Sequence, residues 1–245
     1  MRKKRLRIFA GPNGSGKSTI KNIVSNYVKL GTYVNADEIK VELTNKHCLD
    51  FSDYEVDINK KEFIESLQSS SYSTIIKDVD TTLSHVSFQH STIIIDKNYE
   101  VEDYFVSFIA AYIREKLLED SYRFTFETVM SHPSKLEFMK RAKEKGFKVY
   151  LYFVSLRDPQ LNKLRVRTRV SQGGHAVDEQ KIEERYKRTM GLLFDALKIA
   201  DNAYLFDNSA GEPNMFAIKE DGVITIQGKY VPAWFITYVT NKVQE

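Results

Sequence analysis

The stretch Gly11-Pro12-Asn13-Gly14-Ser15-Gly16-Lys17-Ser18-Thr19 constrains this chain more than any other. It fits the pattern G-x-x-x-x-G-K-[ST] in full, and its surroundings fit as well. Residues 6–10 are a short apolar run and read as a buried strand. Residues 18–29 carry apolar side chains at helical spacing (Ile20, Ile23, Val24, Tyr27, Val28), and Gly31 reads as the stop. Strand, glycine-rich turn and helix is the order in which such a loop works. The glycines let successive backbone N–H groups face one chain of phosphates, and the helix N-terminus adds partial positive charge. Lys17 is expected to reach the terminal phosphates, and Ser18 to offer its hydroxyl to Mg²⁺. The expectation is a site for ATP or GTP with Mg²⁺, formed by Gly11, Pro12, Asn13, Gly14, Ser15, Gly16, Lys17, Ser18 and Thr19. Whether the γ-phosphate then goes to water or to an acceptor must come from other residues.

The rest of the chain sets the fold class. After a short strand at 33–34, helix and strand patterns alternate: helix 102–120, strand 124–129, helix 134–145 closed by Gly146, strand 147–155, helices 159–170 and 179–200, and strand 203–206. Such alternation predicts an α/β, three-layer P-loop sandwich with a mostly parallel sheet covered on both faces. The stretch 44–100 breaks the rhythm. It is polar and irregular, with β-rich runs at 73–79 and 91–96 that read as a hairpin inside an insertion. A second hairpin is expected at 215–219 and 223–227, turned at Asp221-Gly222, and a terminal helix at 233–243 that packs Trp234 and Phe235. The 245 residues are 42% hydrophobic, enough for one generous domain over 1–245 with 44–100 inserted.

Composition excludes several classes. A single cysteine, Cys48, rules out a disulfide scaffold and a four-thiolate zinc site. Scattered histidines offer no ligand spacing, so no metal beyond nucleotide-bound Mg²⁺ is expected. The longest apolar stretches, 105–113 and 230–239, fall well short of the roughly 20 residues a membrane span needs. No apolar signal core follows the basic N-terminus, so a cytoplasmic setting without membrane contact is the expectation.

Three further clusters bear on chemistry. Asn35-Ala36-Asp37 follows the second strand, where neighbouring strand ends in an open sheet face one crevice. Asp37 can accept a proton from an attacking hydroxyl, or it can cap the helix that follows. Glu127, Thr128, Ser131 and His132 end another strand. There Glu127 could bind substrate hydroxyls or order Mg²⁺ through water, or the turn could simply hold an N-cap serine, Ser131 or Ser134. Residues 157–188 hold nine Lys/Arg and five Asp/Glu, a local net of +4 against +3 for the whole chain. Arg165 and Arg169 share a helix face, and the joint Gln172-Gly173-Gly174-His175 leads to Arg185 and Arg188. Two arginine-bearing helices joined by a glycine turn form a lid able to bring guanidinium groups onto a transferring phosphoryl group.

Taken together, Gly11–Thr19, Asn35-Ala36-Asp37-Glu38, Phe126-Glu127-Thr128 with Ser131, Arg169 through His175, Arg185-Tyr186 and Phe206-Asp207-Asn208-Ser209 resemble the zeta toxin family of P-loop kinases. The resemblance is closer to its chromosomal zeta-like branch, labelled predicted ATPases. It covers about residues 5–43 and 101–210. It implies an ATP- or GTP-dependent kinase acting on a hydroxyl of a small molecule, with UDP-N-acetylglucosamine the acceptor of the best-known members. By position, it implies Lys17 on the phosphates, Asp37 as general base, Glu127 and Thr128 on the sugar, and Arg169 and Arg185 as lid arginines. Arg165 and Arg188 are the alternatives for the lid. Ser131 falls in the same substrate-binding cluster. The insertion is a departure that leaves the acceptor open. In the toxins a small helical antitoxin blocks the nucleotide site, and such a partner is implied here by the resemblance alone.

Two other readings stay open from the residues. Ser91-Thr92-Ile93-Ile94-Ile95-Asp96 resembles a strand ending in a Mg²⁺-binding acid, which would favour a regulatory NTPase. Arg2, Lys3, Lys4, Arg5 and Arg7 would suit a nucleic-acid kinase, although a short basic tail before a first strand is common and nucleic acid is not the expected partner.

Overall fold

The computed structural model describes residues 3–173 and 177–243. The chain forms two compact units, one of residues 1–31 and 125–245, the other of residues 32–124.

The first unit begins with β1 (Lys4–Ala10) and α1 (Lys17–Ser25). Its later elements are β6 (Arg123–Thr128), α6 (Ser134–Glu144), β7 (Phe147–Ser155), α7 (Pro159–Ser171), α8 (Glu179–Ile199), β8 (Asn202–Asp207), β9 (Asn214–Glu220) and β10 (Val223–Ile226). Its strands lie in the order β10-β9-β8-β7-β1-β6. The pairs β1–β7 and β7–β8 are parallel, and β9 and β10 extend them antiparallel. This is the mostly parallel α/β sheet that the alternating pattern predicts.

Helices cover both faces. On one, Ile20 of α1 packs on Phe9, Tyr152 and Val154. Phe9, Tyr152 and Tyr204 stack across three strands at centroid distances of 4.7 and 5.0 Å. On the other, Phe138 of α6 meets Phe126 edge-on at 5.6 Å. Buried Trp234 and Phe235 pack around Phe216, and Trp234 also lies 6.0 Å from Phe153. The terminal helix expected at 233–243 is there, interrupted by a π-helical turn over Ile236–Thr240. The hairpin β9–β10 turns at Asp221-Gly222 as read, both with positive φ.

Local chemistry fixes the ends of the helices. Asp158 caps α7 by accepting from Leu161 N at 3.0 Å, with Pro159 opening the helix. Asp178 caps α8 through Lys181 N at 3.0 Å. One boundary moves: α1 stops at Ser25, well before Gly31.

The second unit holds β2 (Thr32–Val34), α2 (Ala36–Lys46), β3 (Cys48–Asp50), α3 (Lys60–Ser69), α4 (Val79–Ser84), β4 (Val86–Gln89), β5 (Thr92–Ile95) and α5 (Asp103–Asp120). Strands β3, β5 and β4 form an antiparallel sheet of their own. Phe63 of α3 makes edge-on contact with Phe51, Phe88, Phe105, Phe108 and Tyr112.

The hairpin expected in the insertion exists, but its first strand is β4 and not 73–79. Residues 71–74 make a 3₁₀ turn whose cap, Ser70 Oγ, accepts from Tyr72 N at 3.2 Å. Asp78 caps α4, accepting from Thr81 N at 2.9 Å and Thr81 Oγ at 2.7 Å. Side-chain caps on both flanks outweigh the β-propensity of Thr74, Ile75 and Ile76. The basic N-terminus also differs from a tail. Lys4, Arg5 and Arg7 lie within β1, and Arg7 is buried 5.3 Å over the Tyr150 ring. Arg2 lies outside the described residues.

Candidate active site

The glycine-rich loop joins β1 to α1. Gly16 precedes α1 with φ 97°, and Gly14 has φ 72°, both in the left-handed region where side chains are strained. Close packing reinforces the requirement. A Cβ on Gly16 would lie 2.4 Å from Asn208 Nδ2, and one on Gly14 2.9 Å from Asn162 O.

Lys17 is buried, and its Nζ donates to Pro12 O at 3.2 Å. The loop thus curls back on its own lysine. Ser18 Oγ donates to Glu127 Oε2 at 3.0 Å, and Lys17 Nζ lies 3.9 Å from Glu127 Oε1. Glu127 stands near the end of β6, the strand beside β1. The predicted carboxylate is therefore at the loop itself, against the hydroxyl expected to serve Mg²⁺.

Thr128 is next along, and its Oγ accepts from Met130 N at 3.0 Å, closing a turn in which Met130 has φ 58°. Ser131 is half-buried in this turn. Neither Ser131 nor Ser134 caps α6. His132 Nδ1 accepts from Ser134 N at 3.2 Å instead.

Asp37 lies in the second unit. It is exposed, at the second position of α2. The cap of α2 is Asn35, whose Oδ1 accepts from Asp37 N at 2.9 Å. The bland alternative for Asp37, a helix cap, is thereby removed. Asp96 follows β5, whose neighbours are β3 and β4, and it pairs with His85 Nδ1 at 2.8 Å. An acid of the Mg²⁺-binding strand type belongs on a strand beside the phosphate-loop strand, and that place is taken by Glu127.

The basic segment resolves into distinct tasks. Arg165 of α7 donates through Nη2 to Asn208 O at 2.6 Å, beside the phosphate loop. Burial lowers its pKa from the ordinary value, with Asp207 opposing. Arg167 points away and pairs with Glu179, Nη2 to Oε2 at 2.8 Å. Lys163 bridges to Glu183 at 2.8 Å, so α7 and α8 are tied twice. Arg169 and Arg185 are half-buried on α7 and α8, and Arg188 is exposed near Glu184 at 4.0 Å. Gly174 and His175 of the expected joint lie outside the described residues.

Two residues at the loop were not singled out as site residues from the sequence. Asn162 Nδ2 donates to Asn13 O at 2.5 Å, and Asn208 Nδ2 donates to Ser15 O at 2.9 Å. Asn208 stood in a recognisable run of residues without an assigned task. Asn162 carried no signal at all, because a single asparagine in a helix pattern says nothing about what it reaches.

Comparison with known proteins bears on the fold and on the later part of the chain. Residues 90–203 match the zeta toxin family model. An uncharacterized protein of Haemophilus influenzae is 22% identical over 178 residues, covering 73% of this chain and 89% of that protein. Among solved structures, the native AvrRxo1-ORF1:-ORF2 complex aligns with a TM-score of 0.54 at 14% identity, over 92% of this chain and 61% of that one. The AvrRxo1-ORF1:-ORF2 structure with ATP aligns at 0.53 and 16% identity over the same shares. The chain thus spans about three fifths of the AvrRxo1 chains it matches. No helix among the described residues is long and apolar enough to cross a membrane. Residues 90–203 are thus similar to the zeta toxin family, and the architecture is that of a P-loop kinase fold.

Proposed function

We propose that the chain is an ATP- or GTP-dependent phosphotransferase that moves the γ-phosphate to a hydroxyl of a small molecule, a nucleotide sugar such as UDP-N-acetylglucosamine being the first candidate. The observation that carries the reading is the phosphate loop, with buried Lys17 and the Ser18 hydroxyl both directed to Glu127. In this reading, the amides of residues 14–19 and Lys17 hold the phosphate chain. Asp37, freed of capping by Asn35, takes the proton of the acceptor hydroxyl. Arg169 and Arg185 close on the phosphoryl group in flight, while Thr128 and Ser131 line the acceptor side.

The donor set suits Mg²⁺. Ser18 and Glu127 bring a hydroxyl and a carboxylate together, all oxygen, as a hard cation requires. Among the described residues no three His, Cys, Asp or Glu side chains are grouped to hold a metal ion. The cation would therefore lean on nucleotide phosphates and water, held on the protein side by Ser18 and Glu127. When bound, it neutralises phosphate charge and orients the β- and γ-oxygens.

A protein partner belongs to the same reading. The aligned AvrRxo1 chain comes from an ORF1:ORF2 complex, and the partner that the zeta toxin resemblance implies for this chain is a small helical antitoxin over the nucleotide site. The test is incubation of the purified chain with γ-labelled ATP or GTP, Mg²⁺ and panels of nucleotide sugars, sugars and nucleosides. Label on one acceptor class supports the reading, and label released only as free phosphate rejects it in favour of hydrolysis.

A further inference from the structure

We infer that Asn162 and Asn208 are positioning residues of the phosphate loop, holding its carbonyls outward so that its amides face the anion. A phosphate loop works only if successive N–H groups converge, which requires the intervening carbonyls to point elsewhere and find donors there. Here the donors are two primary amides from distant parts of the chain. Asn162 Nδ2, on α7, takes Asn13 O at 2.5 Å. Asn208 Nδ2, just past β8, takes Ser15 O at 2.9 Å. Arg165, one turn after Asn162, donates to Asn208 O at 2.6 Å and joins the two braces into one set. Asn208 is held from behind as well, its N donating to Ser155 O at 3.0 Å.

Burial supports this assignment. Asn162 is fully buried and Asn208 is 5% exposed. In both side chains the amide oxygen is buried without a hydrogen-bond partner. An unsatisfied buried acceptor is costly, so an apolar side chain would be the better filler if packing were the only task. Each asparagine is kept for its donating half alone, and that half is spent on a loop carbonyl. The loop is shaped to receive them, since Gly16 and Gly14 leave the space these side chains and α7 occupy. The inference deepens the phosphotransferase reading and depends on it only for the identity of the anion.

The experiment uses the full chain with Asn208→Asp and, separately, Asn162→Asp. Each keeps the size of the side chain and replaces the donor with a carboxylate facing a carbonyl. Affinities for ATP, inorganic tripolyphosphate and adenosine are measured beside the melting temperature. The expected result at pH 8 is a loss of about 10- to 100-fold for ATP and tripolyphosphate, with adenosine unchanged and the fold intact. Because a carboxyl against a carbonyl resists ionisation, the variant-to-wild-type ratio should recover as pH falls toward about 5.5, where the acid regains a proton to donate. A residue that merely fills space would show no such recovery. Unchanged tripolyphosphate affinity in a folded variant, or equal losses for all three ligands, overturns the inference. If Asn208→Asp does not fold, Asn162→Asp decides by the same readouts. If the wild-type protein binds neither ATP nor tripolyphosphate, the phosphate-site reading itself fails and this inference fails with it.

Discussion

Lys17 and Glu127 illustrate what a motif tells and what it leaves out. The pattern places Lys17 and Ser18 without any structure, because the glycines, the lysine and the hydroxyl are all local in sequence. The acid that meets them is 109 residues after Ser18, and only the strand order brings it there. With Lys17→Ala, nucleotide affinity should fall and turnover should collapse while the melting temperature stays near wild type. Calorimetric titration with ATP checks this, and unchanged affinity in a folded variant would remove the phosphate role. For Glu127→Gln, the account separates two tasks that the sequence leaves open. If Glu127 serves Mg²⁺, nucleotide binding in chelator should persist while the gain on adding Mg²⁺ shrinks by about tenfold or more, a charge-assisted interaction being lost. An unaltered Mg²⁺ titration with a raised acceptor KM would instead assign Glu127 to the acceptor.

The helices α7 and α8 show how far periodicity and composition carry. Their positions, their capping aspartates and the excess of positive charge are legible in residues 157–188. Which arginine does what is not, because an i, i+4 pattern gives a face but not the partner on it. Arg165 donates to Asn208 O and Arg167 pairs with Glu179, while Arg169 and Arg185 are the lid arginines that the family resemblance implies. Replacing either with Ala should lower turnover far more than nucleotide affinity, on the scale of about 10³–10⁵ for an arginine acting in transfer. Single-turnover kinetics on the bound complex separate the two effects.

The helix pair also has an acid limit. Arg167 holds the Glu179 carboxyl, and Lys163 and Lys187 hold that of Glu183, below the ordinary value of 4.5. A depressed carboxyl stabilises the folded form above its unfolded pKa, and that contribution is lost as pH falls through the folded value. Hydrogen-exchange protection of α7 and α8 should therefore hold at neutral pH and weaken below about pH 4.5, ahead of β1 and β7. Equal weakening in all four would deny these ion pairs a role in holding the helices together.

Over the whole chain, the α/β class and the order of most elements follow from hydrophobic period and from glycine and proline punctuation. Strand β7 and helices α5 and α8 are long enough for their periods to be unambiguous. The reading fails where segments are short and polar. Residues 73–79 look like a strand by residue type, yet Ser70 and Asp78 turn them into a 3₁₀ turn and the approach to α4. The aromatic cluster around Phe63 was equally hidden, since its members come from α3, α5, β4 and the turn after β3. The division into units 1–31 with 125–245 and 32–124 puts the phosphate loop in one and Asp37 in the other.

The central claim is transfer with Asp37 as base, and one measurement addresses it most directly. Wild type, Asp37→Asn and Asp96→Asn are each given γ-labelled ATP, Mg²⁺ and the acceptor found by screening, and label on the acceptor is counted against label in free phosphate. The account predicts label on the acceptor with wild type and with Asp96→Asn. With Asp37→Asn, transfer should fall by about 10² or more at undiminished nucleotide affinity, the scale of general-base catalysis. Transfer surviving in Asp37→Asn and lost in Asp96→Asn, or label appearing in free phosphate alone, would contradict it.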